Sequence, residues 1–121
     1  MDPLKDEGFA HIGKSVVIKG ELSGSEDLYV DGVVEGTIEL PANALIIGPN
    51  GQARASLNAK NVTVQGKVEG NIHAAERVEL RKSAVAIGDI ATQRIAIEEG
   101  AFFKGKIEIH SEAGKSGKSG S

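Results

Sequence analysis

The sequence contains no cysteine and no tryptophan, and its 121 residues include only three phenylalanines and one tyrosine. The absence of cysteine excludes disulfides and thiolate metal sites, and it is typical of proteins in a reducing compartment. With so few aromatic side chains, the core has to be built from Val, Ile, Leu and Ala. The 16 glycines favour close approach of backbones. This composition favours strands over helices.

Neither sign of charge dominates the chain, because 14 basic and 17 acidic residues are spread along it and give a net charge of −3. Without a basic field, nucleic-acid binding is not expected. No apolar run approaches the ~20 residues that a membrane-spanning helix needs, and residues 1–14 lack the apolar segment of a secretion signal. The sequence predicts a soluble, cytoplasmic protein with a single domain.

Apolar and polar residues alternate over long stretches, most regularly in residues 61–80, where the series Val62, Val64, Gly66, Val68 and Gly70 occupies even positions. A period of two indicates strand and not helix. One straight strand of this length would exceed the usual ~3–10 residues. Glycines on the inward side allow the chain to bend without placing a Cβ in the interior. Each unit is therefore expected to form three short strands that meet at corners.

The alternating units recur along the chain. The apolar triplets that open them start at Leu28, Leu45, Val62, Val78 and Ile95. These starts are 17, 17, 16 and 17 residues apart, and a shorter unit opening at Val16 precedes them. The predicted fold is all-β, a three-faced parallel β-solenoid of about six coils of 16–17 residues. We expect the β-helical domain at residues 15–111, between a flexible tail of residues 1–14 and a disordered tail of residues 112–121.

Inward positions are expected to form ladders from coil to coil, with small residues at the corners. The predicted corner glycines are Gly32, Gly36, Gly66, Gly70, Gly88 and Gly105. One predicted ladder is Leu22, Val34, Ala53, Val68, Ala86 and Phe103, and a second is Ile38, Leu57, Ile72, Ile90 and Ile107. In the same register Lys82 and Glu99 occupy equivalent slots of neighbouring coils, so we predict an ion pair between them.

The two ends of such a stack are expected to be open. A β-solenoid exposes unpaired backbone N–H and C=O groups on its first and last coils, and repeat proteins that stay monomeric normally cap them. The sequence indicates no capping helix, and its phenylalanines lie towards the ends, with Phe103 inward and Phe102 outward by parity. Phe103 serves either as a plug of the core or as an interface residue, and the two roles are compatible. The predicted polymerisation interface comprises Phe9, Val16, Ile18, Phe102, Phe103, Lys104 and Ile107.

No constellation in the sequence predicts catalysis, a cofactor or a metal. GKS occurs at residues 114–116 and 117–119, but the earlier glycine and the following helix of a phosphate-binding loop are missing, so no nucleotide is expected. His11, His73 and His110 are too far apart along the stack to converge on a metal. The carboxylates Glu26, Asp27 and Glu98 lack loops that would wall a cleft, and we interpret them as solvated corner charges.

Three segments carry a resemblance to a known family: VIKGELSG near the start of the repeat, VEGNIHAAERVEL in its middle and IEEGAFFKGKI at its end. Over about residues 11–110 the chain resembles the bactofilins. The resemblance implies a right-handed parallel β-helix that polymerises end to end without a nucleotide. It also implies a cytoskeletal scaffold in the bacterial cytoplasm that recruits cell-wall enzymes or their regulators. Attachment to the inner membrane through an apolar N-terminal tail is a further implication, for which residues 1–14 offer Leu4, Phe9 and Ile12.

Two other functions fit parts of the pattern. A hexapeptide-repeat acyltransferase is suggested by apolar residues at every sixth position from Val16 to Ile46, but Gln52 then breaks the series. A non-polymerising envelope adaptor is suggested by outward apolar residues that could form a partner patch. These residues are Val33, Val85 and Ile87.

Overall fold

The computed structural model describes residues 9–109, which form twelve β-strands and no helix. The strands are β1 Phe9–Ile12, β2 Val17–Ser23, β3 Asp27–Val30, β4 Val33–Ile47, β5 Gln52–Val64, β6 Lys67–Glu69, β7 Ile72–Leu80, β8 Val85–Ile87, β9 Ile90–Thr92, β10 Arg94–Ile97, β11 Phe102–Lys104 and β12 Ile107–Ile109. All of their pairings are parallel. The chain therefore winds as a coil, and each turn lies on the one before it.

The coils form a β-solenoid with three faces, which we name A, B and C. Face A consists of β1, β3, β10 and the C-terminal parts of β4, β5 and β7. Face B consists of β6, β8, β11 and the N-terminal parts of β2, β4 and β5. Face C consists of β9, β12, the N-terminal part of β7, the C-terminal part of β2 and the middles of β4 and β5. The chain thus makes about six coils, as predicted.

Alternation places one side of every face in the core. Leu45 and Val62 are completely or almost completely buried, whereas the intervening polar residues point outward. On face A the register joins Leu28, Leu45, Val62, Val78 and Ile95, which confirms the predicted spacing. The core is aliphatic throughout its buried part, and the one buried polar side chain among residues 10–109 is Thr92, whose hydroxyl donates to the Arg94 carbonyl at 3.2 Å.

The spacing is less regular on face B than on face A. Val34 pairs with Ala53, 19 residues on, and Ala53 pairs with Val68, only 15 residues on. Half of the difference arises because residues 48–51 connect β4 to β5, whereas residues 65 and 66 alone connect β5 to β6. The other half lies at the corner between faces C and A, where residues 41–44 of β4 are opposed by residues 60 and 61 of β5. Corner loops of unequal length are unlike the three equal hexads of a hexapeptide-repeat fold.

The predicted register of the first coil is wrong by four residues. Ile18, and not Leu22, lies below Val34, while Leu22 heads the ladder of Ile38. Val16 therefore does not open a coil. The opening triplet is instead Ala10 to Ile12 in β1, which pairs with β3 and lies ahead of the boundary expected at residue 15. The VVI triplet at Val16 has the same apolar character as the true opening triplets, so apolar composition alone does not identify where a coil begins.

One corner of the solenoid is a column of glycines between faces B and C. Gly20, Gly36, Ala55, Gly70, Gly88 and Gly105 occupy it in successive coils. Its glycines have φ between 132° and 144°, a region that L-residues rarely adopt, so the strand turns sharply there. A Cβ on Gly88 would collide with the carbonyl oxygen of Gly70 in the coil below. The two remaining predicted corner glycines, Gly32 and Gly66, lie at the corner between faces A and B.

Candidate functional site at the ends of the solenoid

The last coil ends in three strands that each pair on one side only among the described residues. β10 pairs with β7, β11 with β8 and β12 with β9. Their inward side chains continue the core ladders but have no coil above them. Ile97 is 46% exposed and Ile109 is 50% exposed, although the equivalent Leu80 and Thr92 one coil earlier are buried. This end of the core is open, with apolar side chains and strand edges facing outward along the axis.

The first coil is open in the same way. Within residues 9–109, β1 pairs only with β3, and β2 only with β4. Ala10, Ile18 and Leu22 are only half-buried against the core. A cavity of about 400 Å³ lies between them. Its apolar lining comes from Ala10, Ile12, Ile18, Leu22, Leu28 and Leu40.

The residues predicted to form the polymerisation interface fall into two groups at opposite ends. Val16 and Ile18 belong to the first coil, where Val16 is 41% exposed. Phe9 is the first residue of β1, and its side chain lies outside the described part of the chain. Phe102, Phe103, Lys104 and Ile107 lie in β11 and β12 of the last coil. Phe103 points inward and is half-buried, whereas Phe102 points outward and is 50% exposed, as their parity predicts.

Sequence reasoning missed four terminal residues of the same kind: Val17, Leu22, Ile97 and Ile109. Ile97 and Ile109 hold inward positions of the last coil, so the parity argument used for Phe103 would have found them. Leu22 was assigned to the wrong ladder because of the register error in the first coil. Val17 is 59% exposed on the outer surface, a position that alternation assigns to polar residues.

The outward apolar residues Val33, Val85 and Ile87 do not form one patch. All three lie on face B, but Gln52 and Lys67 separate Val33 from Val85 in the outward column. Val33 lies beside Val17 near the first coil, and Val85 beside Phe102 near the last. Each therefore extends the apolar surface of one end.

The predicted ion pair between Lys82 and Glu99, at a corner beside face A, is wrong. The ion pair instead joins the preceding residues, with Arg81 Nη1 2.9 Å from Glu98 Oε2. The Lys82 backbone N–H donates to Glu98 Oε1 at 3.0 Å. The prediction identified the two corners that meet but chose the wrong side chains. Glu98 accepts hydrogen bonds from both Arg81 and Lys82. The Lys82 ammonium attracts Glu98 only at longer range, and Glu99 forms no ion pair within residues 9–109.

The hydrogen bond from the Arg81 guanidinium, followed by that from the Lys82 N–H, lowers the pKa of Glu98 from its ordinary value. A lowered folded-state pKa contributes stability that is present above the unfolded-state pKa and is lost as pH falls through the folded-state pKa. We therefore expect Glu98→Gln to lower the melting temperature slightly at neutral pH and not at all in strong acid. Thermal unfolding from pH 7 to pH 2 measures this difference. Glu99→Gln is the control, and an equal loss for both variants at neutral pH would contradict the expectation.

Other groups capable of chemistry stay apart in the structure. His11 contacts Tyr29 edge to face, with ring centroids 5.1 Å apart, and His73 is exposed on face C. No three His, Asp or Glu side chains in the described range converge as metal ligands. Asp27 Oδ1 accepts the Ala44 N–H at 2.9 Å, which is a structural role. His110 and both GKS segments lie outside the described residues, and no helix among residues 9–109 is long and apolar enough to span a bilayer.

The fold and its ends define a class: a β-solenoid whose terminal strands and core are not covered along the axis by any of residues 9–109. The sequence model of one family, bactofilin, described as polymer-forming cytoskeletal, matches residues 10–108. This match covers most of the chain, and the chain belongs to the bactofilin family. As members of a polymer-forming family, such chains self-associate.

Curated relatives come from Myxococcus xanthus strain DK1622. Bactofilin BacO is 43% identical over 98 residues, which cover 81% of this chain and 77% of the relative. Bactofilin BacN is 46% identical over 98 residues, with 81% of this chain and 86% of the relative covered. Bactofilin BacP is 43% identical over the same share of this chain, but the match spans only 40% of that longer protein. The comparison with solved structures finds no match.

Proposed function

We propose that this protein is a non-enzymatic cytoskeletal scaffold in the bacterial cytoplasm whose subunits join end to end into filaments without a nucleotide. The observation that carries the proposal is the exposure of inward apolar side chains at both ends of the coil stack, on strands that pair on one side only within residues 9–109. A neighbouring subunit would pair with these strand edges and cover residues such as Ile97 and Ile109. The free energy of association would come from the same strand pairing and apolar burial that hold successive coils together inside one subunit.

The energetics of such an assembly require no hydrolysis cycle. Burial of apolar surface contributes roughly 25 cal/mol per Å², and each end also gains backbone hydrogen bonds along three faces. Growth is therefore an equilibrium that depends on subunit concentration. Cell-wall enzymes or their regulators, and the cytoplasmic face of the inner membrane reached through residues 1–14, would bind to the sides or tails of such filaments and leave the ends free.

Electron microscopy and sedimentation of the purified protein test this function. We expect filaments both with and without added nucleotide. Coils spaced ~4.8 Å apart give a subunit of about six coils a length of ~30 Å, so the axial repeat should be near this value or a multiple of it. A protein that sediments as a compact monomer even at millimolar concentration would refute the proposal.

A further inference from the structure

Where two charged side chains lie directly opposite each other on neighbouring strands, their signs differ in the pairs Lys19–Glu35, Glu35–Arg54 and Arg54–Glu69. Arg54, for example, lies opposite both Glu35 and Glu69 and is 4.0 Å and 3.6 Å from their carboxylates. Arg77 and Arg94 are the exception among the register pairs of β1 to β12, because two cations lie opposite each other on face A. Like charges directly opposite on neighbouring strands destabilise a sheet, so an anion between them would be stabilising.

The carboxylates of the described residues compensate Arg77 but not Arg94. Arg77 Nη2 is 2.9 Å from Glu79 Oε2, and Glu79 is shared with Arg81 at 3.8 Å. In β10 the position equivalent to Glu79 is Ala96, so Arg94 lacks the acid that pairs with Arg77. Its guanidinium forms no ion pair or hydrogen bond among residues 9–109.

Both arginines line a polar cleft of about 330 Å³ on the side wall of the solenoid. Its lining residues are Asn61, Glu76, Arg77, Gln93 and Arg94. The two guanidinium groups and the two side-chain amides are N–H donors, and the Glu76 carboxylate lies 3.9 Å from the Lys60 ammonium, which offsets its charge. The cleft therefore combines the uncompensated positive charge of Arg94 with several hydrogen-bond donors.

We propose that this cleft binds a phosphate group, either free or carried by a lipid headgroup. The planar fork of a guanidinium donates two parallel N–H bonds to phosphate oxygens, which the free guanidinium of Arg94 can do, while Arg77 in the preceding coil adds a second guanidinium to the same cleft. The cleft lies on the outer surface of face A, so it contains none of the inward core residues of the open end, although Arg94 belongs to the terminal strand β10. Filaments would present one site per subunit in a regular row, which strengthens binding to a phosphate-bearing surface.

Thermal unfolding of the full-length protein with inorganic phosphate, compared with chloride at the same ionic strength, tests the site. Phosphate should raise the melting temperature. Arg94→Gln and Arg77→Gln should weaken the apparent phosphate affinity at least about fivefold. The matched control Arg54→Gln removes an arginine from another face and should leave the affinity unchanged. In chloride, Arg94→Gln should be at least as stable as the wild type, because it removes one of two opposed cations.

Co-sedimentation with phosphatidylglycerol vesicles and with phosphatidylcholine vesicles then identifies the source of the phosphate. Binding to phosphatidylglycerol that is lost in Arg94→Gln assigns the cleft to a lipid headgroup. A phosphate response without vesicle binding assigns it to a free phosphate compound. Absence of any phosphate response in the wild type, or an equal loss in Arg54→Gln, overturns the proposal, and neither result depends on whether filaments form.

Discussion

Replacing Phe103 by arginine is expected to abolish filaments and to leave the β-solenoid folded. Phe103 lies at the open end of an inward ladder, where the arginine guanidinium can reach water in the free subunit. In a filament the same side chain would be enclosed between two coils, and an unpaired buried charge costs several kcal/mol. Sedimentation should find nearly all of the variant in the supernatant, with an unchanged far-ultraviolet circular dichroism spectrum.

Ser56→Arg is the control, because Ser56 is exposed on face C in the middle of the stack and the charge is identical. Filaments of normal length from Phe103→Arg would show that Phe103 only plugs the core. Ile18→Arg blocks the opposite end, and the pair of variants reveals which ends meet. If unlike ends meet, each variant alone stays monomeric and a mixture forms dimers; if like ends meet, each variant alone dimerises through its intact end.

Replacing Gly88 by alanine is expected to destabilise the subunit by at least about 3 kcal/mol, since two effects add. Gly88 has a φ of 134°, which strains any L-residue. Its new Cβ would also collide with the Gly70 carbonyl oxygen, so the two coils would have to separate along hydrogen-bonded backbone. Denaturant unfolding in the Phe103→Arg background measures this loss without the added stability of a filament.

Gly20→Ala separates these two effects. Gly20 lies in the same column with a φ of 132°, but it belongs to the first coil and nothing lies within 4 Å of the position of its Cβ. Only the backbone strain remains, so the expected loss is about 1–2 kcal/mol. Equal losses for Gly20→Ala and Gly88→Ala would show that close stacking of the coils is not what requires glycine.

The fold was predictable because a period of two and a repeat of 16–17 residues act together. The spacing alone was enough to place each apolar triplet from Leu28 to Ile95 in its coil. The alternation within each triplet then identified which side chains point into the core. The prediction of the register failed in the first coil because Gly20 and Gly24 are both suitable corner residues. Only the positive φ at Gly20, which places it below Gly36, decides between them, and spacing does not encode that angle.

The terminal residues were predictable only in part, for a related reason. The alternation of inward and outward residues located Phe103 and Ile107 correctly, because each of their two ladders is continuous from the middle of the chain. The corner ion pair was misassigned, because a choice between Arg81 with Glu98 and Lys82 with Glu99 depends on side-chain direction at a bend, where alternation breaks down. The opposed arginines are visible only once the exact pairing of β7 and β10 is known.

The parallel stacking of every strand also has a mechanical meaning. The backbone hydrogen bonds between coils point along the long axis of the solenoid, and all three faces bridge each gap between neighbouring coils. Tension along the axis is therefore shared by three sets of bonds at once, and bending strains the bonds of the outer side. Within a subunit the covalent chain also crosses every such gap, whereas at a junction between subunits it does not, so a stretched filament should break at its junctions while its subunits stay intact.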